Sequence, residues 1–337
     1  MISILIPFKN TGAFLNECLD SILAQTYVNW QIVAINDHSN DNSLSIVESY
    51  AKKDSRIQVY TNSENGIIPA LRLAYQKSTG EFITRMDSDD IMKPNRLEFM
   101  VEALKTKGKK HVAIGQVQYF SHRGISDGYS RYEKWLNNLT ALGSNYTEIY
   151  KECVIPSPCW MVYKDDFDAC DAFKPNRYPE DYDLTFRFYE HGLKIIPCNQ
   201  VLLLWRDYDT RTSRTHEHYA QNYFLDIKLY YFLKLEYKTS RELVVWGAGF
   251  KGKKIAKELI SKEIDFIWLC DNPNKIDKKI YGQNLYHFSK LKGLKEPQSI
   301  ITVANTKAQL EIKEYLNSLD HKPVSYTHLT LPTTPYV

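Results

Sequence analysis

In its opening quarter the chain repeats one pattern: a short β-branched or aliphatic run, a polar break, then apolar residues at helical spacing. Ile2-Ser3-Ile4-Leu5-Ile6 ends at Pro7, and Leu15, Cys18, Leu19, Ile22 and Leu23 then mark one helix face, with Asn10 or Thr11 as candidate caps. Gln31-Ile32-Val33-Ala34-Ile35 runs into Asn36-Asp37-His38-Ser39, and a helix with Leu44, Val47 and Tyr50 inward follows. Ile57-Gln58-Val59-Tyr60 makes a third strand, a helix over about Ile68–Lys77 comes next, and Glu81-Phe82-Ile83-Thr84 leads to Arg85-Met86-Asp87-Ser88-Asp89-Asp90. Strands alternating with helices predict a parallel sheet covered on both faces. Ligands of such sheets sit beyond the carboxyl ends of the strands, where Pro7, Asp37 and the acidic cluster all fall. Polar chemistry at three strand ends is harder to explain as packing than at one.

The acidic cluster is the sharpest of these signals. Extended backbone sends side chains i and i+2 the same way, so Asp87 and Asp89 can converge on one ligand. Hard divalent cations want such oxygens, and Mg2+ takes one or two carboxylates while phosphate oxygens complete its shell. A metal holding a diphosphate is one reading. Turn and capping chemistry is the other, because Pro94 soon opens a helix with Leu97, Met100, Val101 and Leu104 at helical spacing. An EF-hand calcium loop is excluded, since Ile91 and Met92 stand where an oxygen ligand and the turn glycine belong.

At 337 residues the chain has length for two domains, each with its own core. A net charge of +3 with no dense Lys/Arg block gives no footprint for nucleic acid. Six cysteines without a C-x-x-C pair imply neither a zinc site nor a disulfide framework. Met1 leads straight into a strand, with no basic start or apolar signal core, and no apolar run is long enough to span a membrane. A cytoplasmic setting is the expectation, and nothing in the sequence fixes an oligomeric state.

Beyond this pattern, Ile4 through Asn10, Ile35 through Asp41, Asn65-Gly66, Arg85 through Asp90, Pro94-Asn95-Arg96-Leu97 and Pro179-Glu180-Asp181-Tyr182-Asp183-Leu184 resemble the successive motifs of family 2 glycosyltransferases. The match covers about residues 1–215 in the family's order. The resemblance implies an α/β fold of the GT-A type, a mixed or parallel sheet with flanking helices. It also implies a nucleotide-sugar donor, UDP-linked, and a glycan or lipid-linked acceptor in bacterial surface polysaccharide assembly. The cofactor would be Mn2+ or Mg2+.

By the same resemblance Asp37 accepts a hydrogen bond from the donor's base; an Asx-type turn is the competing role. Arg72 and Arg85 are candidates for base or phosphate contact, although Arg72 stands where many members carry Asn. Asp87 and Asp89 would meet ribose and metal, with Asp90 a neighbour or second ligand. Asp181 is the expected catalytic base, with Glu180 beside it on the acceptor side. It opens a helix whose Leu184 and Phe188 face inward and which Gly192 ends, so a cap role competes. A base that takes a hydroxyl proton during attack on the anomeric carbon gives single displacement with inversion. Trp160 either stacks on an acceptor sugar or belongs to the core. The stretch Trp205–Arg214 resembles the family's late loop over the diphosphate. Many members carry a metal-binding His there, but this chain has none before His216 and His218, leaving Arg206, Arg211 or Ser213 as phosphate contacts.

Thr215–Lys238 reads as one aromatic and basic helix, either lying on a membrane surface or packing two domains together. Leu243-Val244-Val245-Trp246 then meets Gly247-Ala248-Gly249-Phe250-Lys251-Gly252, and Phe266–Cys270 ends at Asp271, the offset of a ribose acid in dinucleotide-binding units. Gly247, Gly249, Gly252 and Asp271 therefore mark a candidate second nucleotide site in a small Rossmann-like domain. Close strand–helix packing demands the same glycines without any ligand. The expected division is 1–214 for the transferase domain, 215–239 for a helical linker and 240–324 for the second domain. The Thr/Pro-rich residues 325–337 are expected to be a disordered tail or foreign to the natural product. An NAD-linked oxidoreductase and a non-catalytic sugar-nucleotide binder are the competing functions.

Overall fold

The aliphatic runs form the buried middle of a sheet, as their composition requires. In the computed structural model, which describes residues 1–211, 224–303, 305–319 and 326–328, all seven residues of β1 (Ile2–Phe8) and of β2 (Trp30–Asn36) are buried. Strands covered on both faces show continuous apolar sequence, not alternation. With β3 (Ile57–Thr61) and β4 (Phe82–Arg85) they make a parallel set, ordered β3-β2-β1-β4. Helices α1 (Leu15–Leu23), α2 (Ser43–Ala51) and α3 (Ile67–Gln76) supply the crossovers, and Leu15, Cys18, Leu19 and Ile22 bury the predicted face, while Leu23 at its end is exposed.

Beyond β4 the sheet stops being parallel. The chain forms β5 (Ile91–Met92), α4 (Arg96–Lys107), β6 (His111–Phe120), α5 (Asp127–Leu142), β7 (Trp160–Tyr163), α6 (Lys164–Ala169), α7 (Glu180–Glu190) and β8 (Lys194–Arg206). These complete an eight-stranded sheet with β7 antiparallel to β4 and β6, and β5 antiparallel to β8. Strand β1 also runs one residue past Pro7, whose ring is buried within it. At the other end, Trp205 and Arg206 belong to a strand and not to a loop.

The chain divides into two compact units: Met1–Thr147 with Cys153–Arg211, and Glu148–Glu152 with Thr212–Val337. In the second unit α8 (Phe224–Tyr231) continues into a π-helical turn, Phe232–Glu236. Here the aromatic and basic residues divide between packing and solvent, with Tyr230, Lys234 and Lys238 exposed. Lys228, Tyr231 and Phe232 are buried, and the Lys228 ammonium donates to the Lys151 carbonyl at 2.8 Å. Packing thus accounts for the buried face of this stretch; the earlier part of the predicted helix, with His216 and His218, lies outside the described residues. Next come β9 (Leu243–Trp246), α9 (Phe250–Ser261), β10 (Ile267–Cys270), β11 (Lys279–Ile280), β12 (Gln283–His287), β13 (Gln298–Ile301), α10 (Thr306–Ser318) and β14 (Tyr326–His328). Their sheet is ordered β11-β12-β10-β9-β13-β14 and is parallel except for β11. The tail is thus not wholly unstructured: Tyr326–His328 pairs with Ser299–Ile301.

Candidate active site

The predicted residues at the ends of β2 and β4 do gather at one sheet edge, on the strands flanking β1. Asp37 follows β2 and is 6 % exposed. Its Oδ1 accepts from the Asn62 amide and the Gly66 N–H, both at 2.9 Å, and the Lys9 ammonium stands 3.5 Å from Oδ2. The turn chemistry that competed for Asp37 is done by its neighbours: Asn36 Oδ1 accepts from Ser39 N–H, and Asp41 from Ser43 and Gly12 N–H. Asp37 instead holds the turn at Gly66, whose φ of +109° favours glycine.

At the end of β4 the acids are held by arginines from several elements. Arg85 donates from Nε to Asp87 Oδ1 at 2.8 Å and from Nη1 to Glu180 Oε1 at 2.7 Å. Arg96, the first residue of α4, lies wholly buried beneath the loop and donates to the Thr84 hydroxyl and the Arg85 carbonyl. Tyr208 donates its hydroxyl to Asp89 Oδ2 at 2.9 Å. Burial pushes the Asp89 carboxyl up, against the pull of the Arg211 guanidinium, and the Asp87 charge adds to the rise. Asp90 is pushed up further, first by burial and then by the Asp89 charge.

Asp181 stands on the first turn of α7, next to Glu180. Glu180 does not cap the helix; its carboxylate goes to Arg85, while Asp181 Oδ1 accepts from the Tyr182 N–H at 2.8 Å. Burial, followed by the adjacent Glu180 charge, lifts Asp181 to about 7, with Arg85 pulling the other way. A carboxylate poised there suits general-base work near neutral pH. Helix α7 is pinned by Asp183, which is buried and paired with Arg177 at 3.0 Å and Arg187 at 2.8 Å.

Several expected contacts fall elsewhere. Trp160 is 2 % exposed and packs against Phe167 and Phe188, so it is a core residue and not an acceptor platform. The Arg72 guanidinium ties down the loop at 173–176, donating to the Phe173 and Lys174 carbonyls and to Asn176 Oδ1, which removes it from donor binding. Arg206 is likewise a buckle and not a phosphate contact: its Nε donates to the Asp89 carbonyl, its Nη2 to Glu17, and its plane lies over Phe14 and Phe120. Asp90 faces inward with no exposure, and its Oδ1 accepts from the Arg206 N–H, so it supports the loop instead of meeting a cation directly. Ser213 lies outside the described residues. Sequence reasoning missed the roles of Arg96, Tyr208, Glu17 and Asp183; Tyr208 and Glu17 act through partners distant in the chain, whereas Arg96 and Asp183 are paired nearby but depend on burial that spacing does not show. A buried arginine within the Leu97, Met100 and Leu104 face was the one available signal.

Among the described residues no group of three or more His, Cys, Asp or Glu side chains is arranged as a metal cage. A cage is not what a diphosphate-bound cation needs, since one or two carboxylates suffice when phosphate oxygens fill the remaining positions. The loop after β4 has two carboxylates of this kind, Asp87 held by Arg85 through Oδ1 and Asp89 held by Tyr208 through Oδ2, and their other oxygens are of the chemistry such a cation takes.

Comparison with known proteins places this geometry. Residues 3–170 match the family model described as glycosyl transferase family 2. The chain is 37 % identical over 225 residues to the glycosyltransferase GlyG of Streptococcus pneumoniae serotype 4, covering 64 % of this chain and 73 % of that one. It is 28 % identical to the glycosyltransferase GlyA of the same organism over 61 % of this chain, but spans only 30 % of GlyA. The chain belongs to glycosyltransferase family 2 and is a glycosyltransferase. Its fold is shared with Staphylococcus aureus TarS residues 1–349, solved with UDP-GlcNAc (TM-score 0.54, 18 % identity, 78 % of this chain and 72 % of that one). The mannosyltransferase PcManGT from Pyrobaculum calidifontis, solved with GDP-Man and Mn2+, is similar at a TM-score of 0.50, 18 % identity, 68 % of this chain and 64 % of that one. The architecture is that of GT-A glycosyltransferases.

Proposed function

We propose that this enzyme moves a sugar, with inversion, from a UDP-linked donor to a hydroxyl of a glycan or lipid-linked acceptor in bacterial surface polysaccharide assembly. The observation that carries the reading is the joining of Asp87 at the end of β4 to the helix that carries Asp181, through Arg85 and Glu180. Donor-side and acceptor-side carboxylates thus belong to one site. The donor solved with TarS is UDP-GlcNAc and that with PcManGT is GDP-Man, so nucleotide-sugar donors occur on this fold.

In this scheme Asp37 accepts the imide N–H of the base, and Asp87 binds ribose. Mn2+ or Mg2+, held by Asp89 and Asp87, supplies Lewis-acid stabilisation for the leaving nucleoside diphosphate. Asp181 takes the acceptor proton as the oxygen attacks the anomeric carbon, and the diphosphate leaves from the opposite face. The test is a panel of nucleotide sugars with Mn2+ or Mg2+, read as nucleoside diphosphate release. Release from no donor, with or without acceptor, sinks the proposal.

For the second unit the proposal is a nucleotide-binding appendage on a Rossmann-like half. A cleft of about 400 Å3 opens at the ends of β9 and β10, lined by Gly247, Gly249, Lys251, Asp271, Lys275 and Thr302. Gly252 also has a packing role, since a Cβ there would lie 1.9 Å from the Gly247 carbonyl oxygen. The family match of the first unit supports sugar transfer over an oxidoreductase. Titration with NAD(H) and nucleoside diphosphates, read by Trp246 and Trp268 fluorescence, distinguishes a ligand site from a packing motif.

A further inference from the structure

Arg85 touches both the loop after β4 and the first turn of α7. It ends β4 opposite Leu5 of β1, with its carbonyl held by Arg96 at 3.2 Å, so its backbone is fixed within the sheet. Its side chain is buried at 7 % exposure and reaches two carboxylates on different elements: Asp87 at 2.8 Å on the donor loop and Glu180 at 2.7 Å on the first turn of α7. A guanidinium is a rigid planar fork, so holding both acids at once sets the spacing between the elements that carry them. A single ammonium is a point charge on a flexible stem and cannot do this.

Building on the transferase reading, we infer that Arg85 is the positioning residue of this enzyme: by bridging Asp87 and Glu180 it fixes where the Asp181 carboxylate stands relative to the donor's anomeric carbon. It acts through its two partners and touches no reacting atom in this role. The bridge also sets the charge around Asp181. The groups that act on that carboxyl are Glu180 from its own helix, the Tyr182 N–H, and Arg85 and Asp87 from the end of β4. Glu180 and Asp87 raise its proton affinity and Arg85 lowers it.

Three variants separate positioning from simple folding and from simple donor binding. Arg85→Lys keeps the charge but not the fork. It is expected to lower kcat about 100-fold, the scale of an ångström-sized misplacement, with the donor KM changed only a few-fold and the acid limb of the pH–rate profile in place. Arg85→Met should lower kcat at least as far and move the acid limb to higher pH. Glu180→Gln, which keeps an acceptor for Arg85, should lower kcat about tenfold and move the limb to lower pH, opposite to Arg85→Met. A role in folding alone cannot produce limbs that move in opposite directions. The inference is overturned if Arg85→Lys turns over at wild-type kcat or raises only the donor KM. Should the arginine variants fail to fold, Glu180→Gln decides, and an unmoved limb with unchanged kcat overturns the inference. Asp181→Asn is assayed alongside: if it stays fully active, the base is wrong and the bridge falls with it. If Asp181→Asn is dead while Arg85→Lys matches wild type, only the bridge falls.

Discussion

The two units present the same kind of edge, the carboxyl ends of a parallel sheet, and treat charge there in opposite ways. In the first, Asp87, Asp89, Asp90 and Glu180 are drawn in and laced to Arg85, Arg206 and Tyr208, with Asp181 beside them on the Tyr182 N–H. In the second, Asp271 is exposed, Lys275 donates to a loop carbonyl, and glycines shape the opening. Packing acids out of water is unfavourable unless each finds a partner, and even paired they add little to stability. An edge that concentrates them is organised for chemistry. An edge that leaves its acid in water and spares space with glycine is organised for close backbone approach.

The strongest way to break this contrast is to remove Asp181, the proposed base. Asp181→Asn should cut kcat by about 10²–10⁴-fold while donor affinity stays near wild type, measured as nucleoside diphosphate release and by calorimetric donor titration. Full activity would mean that the crowded edge has no catalytic use. Asp89→Ala should abolish metal-dependent donor binding, and calorimetry with and without Mn2+ reads that directly; equal affinity in both would remove the metal from the site.

Protonation sharpens the same point. Asp181 must be unprotonated to accept a proton, and it is lifted to about 7 by burial and by Glu180. Turnover should therefore fall as pH drops through about 7, to half its plateau near that value. A profile flat down to pH 5 contradicts the assignment. Core and edge can be separated at Trp160, where Trp160→Ala should lower stability by about 3–5 kcal/mol in denaturant melts, as for other large buried aromatics. An acceptor platform would instead show normal stability and a raised acceptor KM.

The smallest expected effects test the second unit and the loop over Asp89. Gly252→Ala forces a Cβ against the Gly247 carbonyl and should destabilise the second unit by about 1–3 kcal/mol, leaving sugar transfer by the first unit near wild type. Tyr208→Phe removes one hydrogen bond to Asp89 and should lower stability by about 1 kcal/mol. A loss of metal binding in that variant as large as in Asp89→Ala would promote Tyr208 from support to ligand partner.

Much of the fold lay open in the sequence because it is written in local patterns. The runs at Ile2–Ile6 and Gln31–Ile35 fall in buried strands, the face of α1 follows from spacing, and Leu243–Trp246 is a strand with the residues expected. Those signals need only neighbours along the chain. The antiparallel entry of β7, the strand from Lys194 to Arg206 and the long helix Asp127–Leu142 carried no comparable pattern, and they went unread.

What the sequence determined by itself was therefore the strand–helix alternation and the acidic residues placed at strand ends. Only the tertiary structure decided which acids work and which support. Trp160 became core, Asp90 turned inward, and Arg72 and Arg206 became ties because their partners lie a hundred or so positions away in the chain. Charge is encoded residue by residue, whereas burial, and with it the proton affinity of a carboxylate such as Asp181, is a property of whatever the folded chain brings beside it.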